Sequence, residues 1–430
     1  MNRLTSTYKV SDTTIFKQQM LNWSNQFNIC CFFDNNHYTS QYNSFECLLA
    51  VDAINFFNVS PSNKANLIEL KSFVNETKDW IFGHISYDFK NSIFQSTSNN
   101  TDVLEFPELY LFQPKVVIKL FSSHVVIETI EIAPIKIFER ITSTNITNPI
   151  TTKKSVIVKP RISKTHYFEK VNALKNHIQL GDCYEINFCQ EFYAENIEVD
   201  PFQIFNKLNT ISPTPFSVYY KLNNKYVLCA SPERFIKKQA NKIISQPIKG
   251  TSKRDLQNEH KDLISKQSLA KSQKEKSENV MIVDLVRNDL SKIATKKSVN
   301  VDELFGIYSF PQVHQMISTI SATVDDNIDF VDILKATFPM GSMTGAPKHK
   351  VMQLIEEYEE SKRGIYSGSI GYITPNKDFD FNVVIRSIMY NETLKFLNYQ
   401  VGGAITHYSN PEDEYEECLL KAKAIERALI

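Results

Sequence analysis

Residues 366–405 read YSGSIGYITPNKDFDFNVVIRSIMYNETLKFLNYQVGGAI, and this stretch indicates the fold class. It contains three runs rich in aromatic and β-branched residues, at Tyr366–Thr374, Phe379–Tyr390 and Lys395–Ile405, with short polar segments between them. Such composition predicts β-strands. Because these strands do not alternate with helical patterns, the stretch predicts mostly antiparallel sheet and an α+β fold.

Strand-like patterns also run through the N-terminal third of the chain. Residues 1–140 consist of short alternating or apolar runs, such as Val116–Phe121 and Val125–Ile130, and show few helical stretches. Two later runs, Tyr219–Ala230 and Phe235–Ser245, each predict a strand. We therefore predict that residues 1–140 form a β-rich part of one composite fold.

The remainder of the chain carries the helical patterns. Residues 141–164 are rich in Thr, Asn, Ser and Lys, which is typical of a linker or a long exposed loop. Residues 165–430 are predicted to form the other region of this fold, and the motifs that it contains make it the candidate catalytic region. Helical spacing predicts one helix over 167–180 and two helices within 254–294. A last helix is predicted to begin at Asn410-Pro411, a favourable pair for an N-cap and a first helical turn.

Composition and charge exclude several classes of protein. Lys+Arg and Asp+Glu both number 48, so the formal net charge is zero, which argues against a nucleic-acid binder that relies on phosphate contacts. No run of 18 apolar residues predicts a membrane span, and the start MNRLTSTYKV lacks the apolar core of a signal peptide. The seven cysteines include no CxxC, so neither a disulfide framework nor a cysteine zinc site is indicated. A reducing cytoplasm is therefore the expected location.

Two pairs of glutamates have the spacing of a metal site. Glu275 and Glu278 are three residues apart in a predicted helix, as are Glu414 and Glu417, so each pair lies on one helix face. Two such faces could meet across a cleft and hold a hard cation such as Mg²⁺, which uses only one or two protein carboxylates. The structural alternative for an E-x-x-E motif is a solvated helix surface.

Three further features have both a catalytic and a structural interpretation. Lys249, in QPIKGT (246–251), could be a nucleophile if it lost its proton, or it could be an exposed hairpin lysine. The small residues of FPMGSMTGAPK (338–348) precede a helix and suit anion binding through backbone N–H groups, or they form a helix-capping turn. His314 lies among apolar residues, as either a catalytic or a structural histidine.

Eight segments, taken together and in order, resemble the chorismate-utilising enzymes. They are GDCYEINFCQ (181–190), SPERF (231–235), QPIKGT (246–251), SENVMIVDLVRNDL (277–290), FPMGSMTGAPK (338–348), RGIYSGSIGY (363–372), DFNVVIRS (380–387) and EYEECLLKA (414–422). The resemblance implies a sandwich of antiparallel β-sheets flanked by helices, with chorismate and Mg²⁺ in the cleft between them. The N-terminal segment WIFGHISYD (80–88) resembles a strand segment of the ammonia-using members.

The resemblance also implies roles for individual residues. Glu278 and Glu417 correspond to the main Mg²⁺ ligands, and Glu275 and Glu414 to nearby or water-mediated partners. Six further positions correspond to substrate contacts: Gly250, Thr251, Ser342, Tyr366, Arg386 and Gly402. Arg386 suits a bidentate grip on the enolpyruvyl carboxylate. His314 corresponds to the histidine beside the departing C4 hydroxyl, and Glu233 to the acid/base group.

Two positions distinguish the branches of this family. Water-adding members carry a lysine base, and ammonia-using members usually a glutamine, where this chain has Glu185. Members that aminate C2 of chorismate have alanine in place of Lys249, whereas members that aminate C4 have lysine. In the latter, the lysine attacks C2 while the C4 hydroxyl leaves, and ammonia then attacks C4 and expels the lysine. The resemblance therefore implies C4 amination, on the route to 4-aminobenzoate and folate.

The chain has no cysteine in a G-x-C-x-G context, so ammonia is expected from a separate glutamine amidotransferase subunit. No fused lyase domain is expected either, because the chain ends directly after the family's last helix. Three alternatives stay open: C2 amination to anthranilate, isochorismate formation, and a non-catalytic subunit that retains the fold.

Overall fold

The structure is a computed structural model that describes residues 2–39, 42, 45–61, 63–146 and 155–430. The strands of these residues are β1 (Leu4–Lys9), β2 (Ile29–Asp34), β3 (Cys47–Val59), β4 (Ile81–Ile85), β5 (Leu109–Leu120), β6 (His124–Thr129), β7 (Lys159–Pro160), β8 (Glu185–Ala194), β9 (Phe216–Leu222), β10 (Lys225–Ser231), β11 (Arg234–Gln239), β12 (Lys242–Gln246), β13 (Ile248–Lys253), β14 (Asn300–Ser309), β15 (Val313–Thr323), β16 (Gly345–Ala346), β17 (Ser369–Ile373), β18 (Phe379–Asn382), β19 (Ser387–Asn391) and β20 (Phe396–Ile405). The α-helices are α1 (Thr13–Ser24), α2 (Leu67–Glu76), α3 (Lys90–Phe94), α4 (Pro134–Thr142), α5 (Lys164–Gln179), α6 (Pro201–Ile211), α7 (Glu259–Lys271), α8 (Gln273–Ser291), α9 (Phe330–Thr337), α10 (Lys348–Tyr358) and α11 (Pro411–Leu429). Single 3₁₀ turns occur at Tyr87–Phe89 and Gly341–Met343.

The strands form two layers, and every pair of these strands runs antiparallel. One layer has the order β6–β5–β3–β2–β9–β10–β19–β20–β8. The other has the order β5–β4–β17–β18–β11–β12–β15, and β13 and β14 both pair with β15. The long strand β5 belongs to both layers. This arrangement is the predicted α+β sandwich of antiparallel sheets.

Strand β3 shows how the two hydrophobic cores share the first layer. Leu48 and Ala50 belong to the core that continues into the second layer and under α2, α8 and α9. Leu49 and Val51 point the other way, into the core beneath α1, α4, α5, α6, α10 and α11. Because successive strand residues face opposite sides and both sides are covered, the run Cys47–Val51 is apolar without alternation.

Two runs predicted as single strands, 219–230 and 235–245, are hairpins. The first is β9 and β10, and its turn contains Asn223 with φ 56°. The second is β11 and β12, with Ala240 at φ 50° in the turn. In both, a residue in the left-handed region reverses the chain, which composition alone did not indicate. The run predicted at 379–390 is likewise divided, into β18 and β19.

The expectation of few helical stretches in residues 1–140 is wrong, because α1 to α4 all lie there. The side chain of Asp12 caps α1 by accepting hydrogen bonds from the backbone N–H groups of Thr14 and Ile15. Asn66 caps α2 in the same way. Aspartate and asparagine at these positions satisfy N–H groups that have no partner inside the helix. These local signals were present in the sequence but were outweighed by the strand-like runs around them.

The helices predicted in the catalytic region are confirmed as α5, α7, α8 and α11, and Asn410 caps α11. Of the predicted linker at 141–164, residues 147–154 lie outside the described residues. Before that segment α4 continues to Thr142, and after it β7 pairs with β8. The proposed domain boundaries stay a prediction. None of the described helices combines the length and the apolar composition needed to cross a membrane.

Candidate active site

A cavity lies among β8, β13, β20, α8, α11 and the 3₁₀ turn at Gly341–Met343. Twelve of the thirteen residues predicted for the site line it: Glu233, Lys249, Gly250, Thr251, Glu275, Glu278, Ser342, Tyr366, Arg386, Gly402, Glu414 and Glu417. The fold therefore brings residues from both sheets and two helices to one place. His314 is the exception.

Glu275 and Glu278 of α8 and Glu414 and Glu417 of α11 form an acidic wall of the cavity. Their positions follow from local helix geometry. Ser272 caps α8 by accepting a hydrogen bond from the backbone N–H of Glu275, and this fixes where the helix begins. The i,i+3 spacing then places Glu275 and Glu278 on one face, and α11 presents Glu414 and Glu417 in the same way. Burial raises the pKa of the Glu278 carboxyl to about 8. Burial also raises the pKa of Glu275 and Glu414.

Two lysines lie among these carboxylates. The ammonium of Lys274 is 3.9 Å from Glu278 Oε1 and 3.6 Å from Glu414 Oε1. Lys421 Nζ is 2.8 Å from Glu417 Oε1, and this lysine lowers the pKa of the Glu417 carboxyl. The acidic wall thus has one readily ionised carboxylate, on Glu417. Burial disfavours the charged form of the other three.

The acidic wall fits a divalent cation held by few protein ligands. Glu278 Oε1 is buried and accepts no hydrogen bond from any described residue, which leaves it available to an added cation. No three Asp, Glu, His or Cys side chains in the described parts of the chain are placed to hold a metal by themselves. Mg²⁺ does not need three, because water and ligand oxygens complete its shell. Glu278 and Glu417 are thus suitable ligands, with Glu275 and Glu414 close by.

Lys249 enters the cavity from β13. The next residue, Gly250, has φ +95°, and a Cβ there would lie 3.0 Å from Glu275 Oε2, so a side chain at this position would be strained and crowded. The Lys249 ammonium is 2.7 Å from Glu185 Oε1, and both side chains are buried. Burial lowers the pKa of Lys249, but the carboxylates of Glu185 and Glu278 outweigh it and the net shift is upward. The lysine is therefore an ammonium ion in the free protein, not the neutral amine that nucleophilic attack needs.

Glu233 lines the cavity from the turn between β10 and β11. Ser342 Oγ donates a hydrogen bond of 2.5 Å to Glu233 Oε1. Burial raises the pKa of Glu233 to about 7, although the Ser342 hydrogen bond and Lys249 act in the other direction. A carboxyl group that titrates near pH 7 can both donate and accept a proton under neutral conditions.

Arg386 provides the free cationic group of the cavity. It has φ 51°, between β18 and β19, and its guanidinium makes no hydrogen bond or ion pair with any described residue. Burial lowers its pKa to about 10, so it still carries its charge at neutral pH. An unpaired guanidinium in a cavity is suited to bind a carboxylate through two parallel hydrogen bonds.

The structure does not bring His314 to the cavity. Its Nε2 is 3.2 Å from Asp262 Oδ1 and its Nδ1 is 2.8 Å from Ser309 Oγ, so both ring nitrogens have partners elsewhere. The next residue on β15, Gln315, lines the cavity instead. Successive strand residues face opposite sides, so only one of the two can reach the site. The catalytic role of His314 stays a prediction that this placement does not support.

Five polar residues of the cavity were missed in the sequence: Asn187, Lys274, Gln315, Gln400 and Lys421. The two lysines had a signal, since Lys274 precedes Glu278 by four residues and Lys421 follows Glu417 by four, the spacing of helical ion pairs. Gln315 could have been found only from the strand register.

The family model of the chorismate binding enzymes matches residues 28–427. Aminodeoxychorismate synthase component 1 of Salmonella typhimurium is 40% identical over 264 residues, which cover 61% of this chain and 57% of that protein. The protein of the same name from Escherichia coli is 39% identical over 274 residues, 62% of this chain and 58% of that protein. The matched region thus spans somewhat more than half the length of these curated relatives.

Among solved structures, anthranilate synthase component I from Streptococcus pneumoniae TIGR4 superposes with a TM-score of 0.75 at 23% identity. The match covers 91% of this chain and 95% of that one, which confirms the predicted fold. The resemblance drawn from eight sequence segments is also confirmed, because the family match includes all of them. With nearly its whole length matched and its motifs gathered around one cavity, the chain belongs to the chorismate binding enzymes.

Proposed function

We propose that this chain is the chorismate-aminating subunit of an aminodeoxychorismate synthase. It converts chorismate and ammonia to 4-amino-4-deoxychorismate, which supplies 4-aminobenzoate and folate synthesis. The observation that carries the proposal is the ε-ammonium group of Lys249, buried in the same cavity as Arg386 and the glutamate pairs of α8 and α11. The relatives that are 39–40% identical to this chain over the matched region bear the corresponding name.

Each group in the cavity has a role in this reaction. Arg386 binds a substrate carboxylate, since chorismate carries two carboxylates and no described residue pairs with the guanidinium. Lys249 Nζ attacks C2 as the C4 hydroxyl leaves, and ammonia then attacks C4 and expels the lysine. Glu233, with a pKa of about 7, exchanges the protons that the leaving hydroxyl and the incoming nitrogen require.

Mg²⁺ is proposed as the cofactor, held by Glu278 and Glu417 with Glu275 and Glu414 as nearby partners. When bound, it would neutralise the ring carboxylate of the substrate and help to orient it. Glu417 is the member of this set whose pKa lies below the usual value. A bound cation would favour ionisation of the other three carboxyl groups, whose pKa burial raises.

The ammonia source is proposed to be a separate glutamine amidotransferase subunit. The seven cysteines of the described residues are all buried, and burial raises the pKa of each of them above the range of a reactive thiolate. A glutaminase nucleophile needs an accessible and activated thiolate.

Product identity tests the proposal. Purified protein is incubated with chorismate, ammonium and Mg²⁺, and the products are separated and identified by mass spectrometry. We expect 4-amino-4-deoxychorismate with its enolpyruvyl group retained and no release of pyruvate. Fluorescent anthranilate together with pyruvate would instead show C2 amination, and isochorismate would show attack by water.

A further inference from the structure

We propose that Glu185 is a catalytic residue, which takes the proton that Lys249 must lose before it attacks the substrate and returns that proton when the lysine is expelled. The inference rests on the proposed function, since it concerns the activation of the proposed nucleophile. It gives a role to Glu185, which the family resemblance marked only as a departure from the usual lysine or glutamine. It is supported by the position of Glu185, by its two carboxylate oxygens that lack a regular hydrogen bond, and by the charges around Lys249.

The position of Glu185 is tightly determined by the backbone. It is the first residue of β8 and pairs with Ala346 of β16, whose carbonyl accepts a hydrogen bond from Tyr184. Gly345, at φ +144°, lies so close that a Cβ there would be 2.1 Å from the carbonyl oxygen of Glu185. The small residues of the segment before α10 thus allow β8 to approach, and this approach places the Glu185 side chain beside β13.

Both carboxylate oxygens of Glu185 are buried, and neither accepts a hydrogen bond of regular geometry from a described residue. The one cationic side chain of the described residues within ion-pair distance is Lys249, at 2.7 Å. A buried carboxylate normally has several donors. Glu185 therefore has unused lone pairs beside a single ammonium group, an arrangement suited to a proton acceptor rather than to a structural anchor.

Transfer of the proton within the pair costs less than its loss to solvent. Lys249 is faced by Glu185 of β8 and Glu278 of α8, which hold its proton, and by Lys421 of α11, which opposes it. Loss of the proton to solvent would leave Glu185 as an unpaired buried anion, which is costly. Transfer from Lys249 to Glu185 instead converts an ion pair into a neutral amine and a neutral acid. A buried site tolerates that neutral pair, because neither group then needs solvation as an ion.

The protons balance over the two steps. In the first, Glu185 takes a proton from Lys249, the Nζ lone pair forms the bond to C2, and both ring double bonds shift, which moves an electron pair towards C4. The C4–O bond breaks, and the oxygen leaves as water with a proton from Glu233. In the second, the nitrogen of ammonia bonds to C4 and the C2–Nζ bond breaks, with its electron pair returning to Nζ. Glu185 then reprotonates the lysine, and Glu233 recovers a proton from the new C4 ammonium group.

The test compares Glu185→Gln and Glu185→Asp with wild type at saturating ammonium and Mg²⁺. Glutamine keeps the shape of the side chain but cannot accept the proton, so we expect kcat for C4 amination to fall about 100-fold near pH 7. The residual rate should rise with pH, because the lysine must then lose its proton to solvent. Aspartate retains a carboxylate and should recover part of the loss. The KM for chorismate should change little in either variant.

A second readout follows the lysine step directly. Without ammonia, chorismate should form a covalent adduct on Lys249 that intact-protein mass spectrometry detects, and Glu185→Gln should form it more slowly. Glu191→Gln is the matched control, because Glu191 is a buried carboxylate of β8 that pairs with Arg161 at 2.7 Å, away from the cavity. It should leave the adduct rate and the pH profile unchanged.

Two results would overturn the proposal in different ways. A Glu185→Gln protein that is folded and aminates C4 as fast as wild type at pH 7 would show that Glu185 only restrains the lysine, while the proposed function stands. Wild-type protein that forms anthranilate would remove the lysine step itself, and the proposed function would fail with it. Thermal unfolding of each variant establishes that it is folded.

Discussion

Ser342 Oγ and Glu233 Oε1 are joined by a 2.5 Å hydrogen bond inside the cavity. The hydroxyl comes from the 3₁₀ turn before β16, and the carboxyl from the turn before β11, 109 residues earlier in the chain. Burial raises the pKa of Glu233 to about 7, and the Ser342 hydrogen bond limits that rise by stabilising the anion. This pair therefore sets the pH range in which Glu233 can act as an acid.

Ser342→Ala should move the pH profile of the reaction. Removing the hydroxyl removes a donor to the carboxylate, so the pKa of Glu233 rises further. If the protonated form delivers the proton to the leaving hydroxyl, the decline of kcat at high pH should shift upward. The measurement is kcat for C4 amination between pH 6 and pH 9. An unshifted profile would mean that Glu233 does not limit the rate as an acid.

Lys249→Ala should abolish most C4 amination, by about 100-fold or more, because the covalent route is lost. Removal of the lysine also exposes C2, so some anthranilate should form by direct attack of ammonia. Mass spectrometry and anthranilate fluorescence separate the two products. Lys253→Ala, at the exposed end of the same strand, is the matched control and should behave as wild type. Full C4 amination by Lys249→Ala would contradict a covalent role for this lysine.

Glu278→Gln and Glu417→Gln should each weaken the dependence on Mg²⁺. Each change removes a charged oxygen ligand with little change in shape, so the half-saturating Mg²⁺ concentration should rise about tenfold or more. Activity is titrated against Mg²⁺ for each variant. Glu416→Gln changes the neighbouring, largely exposed residue of α11 and should leave the titration unchanged. Wild-type activity at limiting Mg²⁺ in both site variants would exclude them as ligands.

The unfolding free energy of the metal-free protein should fall as the pH rises from about 5 to about 8. Burial raises the pKa of Glu278 to about 8 and that of Glu233 to about 7 in the folded state. The folded state therefore binds these protons more tightly than the unfolded chain does. That stabilisation is complete below the unfolded pKa and is lost as pH passes the folded pKa. Glu278→Gln should show a smaller fall in urea unfolding over this range.

Glutamine should support no amination by the purified chain, whereas ammonium should. The test supplies each nitrogen source in turn and then adds a glutaminase subunit with glutamine. Because un-ionised ammonia is the attacking species, the apparent KM for total ammonium should fall as the pH rises. Turnover with glutamine in the absence of any partner would disprove the two-subunit proposal.

The helical parts of the site could be predicted from the sequence because the information for them is local. The caps at Ser272 and Asn410 and the i,i+3 spacing of the glutamates lie within single turns of α8 and α11. The strand runs were also identified, but not the turns within them. Asn223 and Ala240 adopt left-handed backbone conformations, which the amino-acid composition of these runs does not specify.

The choice between His314 and Gln315 shows where sequence reasoning failed. Both residues lie on β15, and a strand presents them to opposite sides. Which side faces the cavity depends on the register of β15 with β12, β13 and β14, and thus on three separate strand pairings. A motif can indicate the segment, but one residue of register decides which side chain reaches the substrate.

By itself, the sequence determined the family, the antiparallel α+β class, the two acidic helix faces and the identities of twelve cavity residues. The acidic helix faces follow from residue type and short-range spacing, whereas the family and most of the cavity residues follow from the resemblance of eight segments to known enzymes. Only the tertiary structure decided that Glu185 of β8 meets Lys249 of β13, since these strands pair with other partners and not with each other. The approach of the two side chains results from packing across the cavity. Gly345 of β16 has no side chain and therefore lets β8 pack closely against it. Contacts of that kind depend on the whole fold and have no local sequence signal.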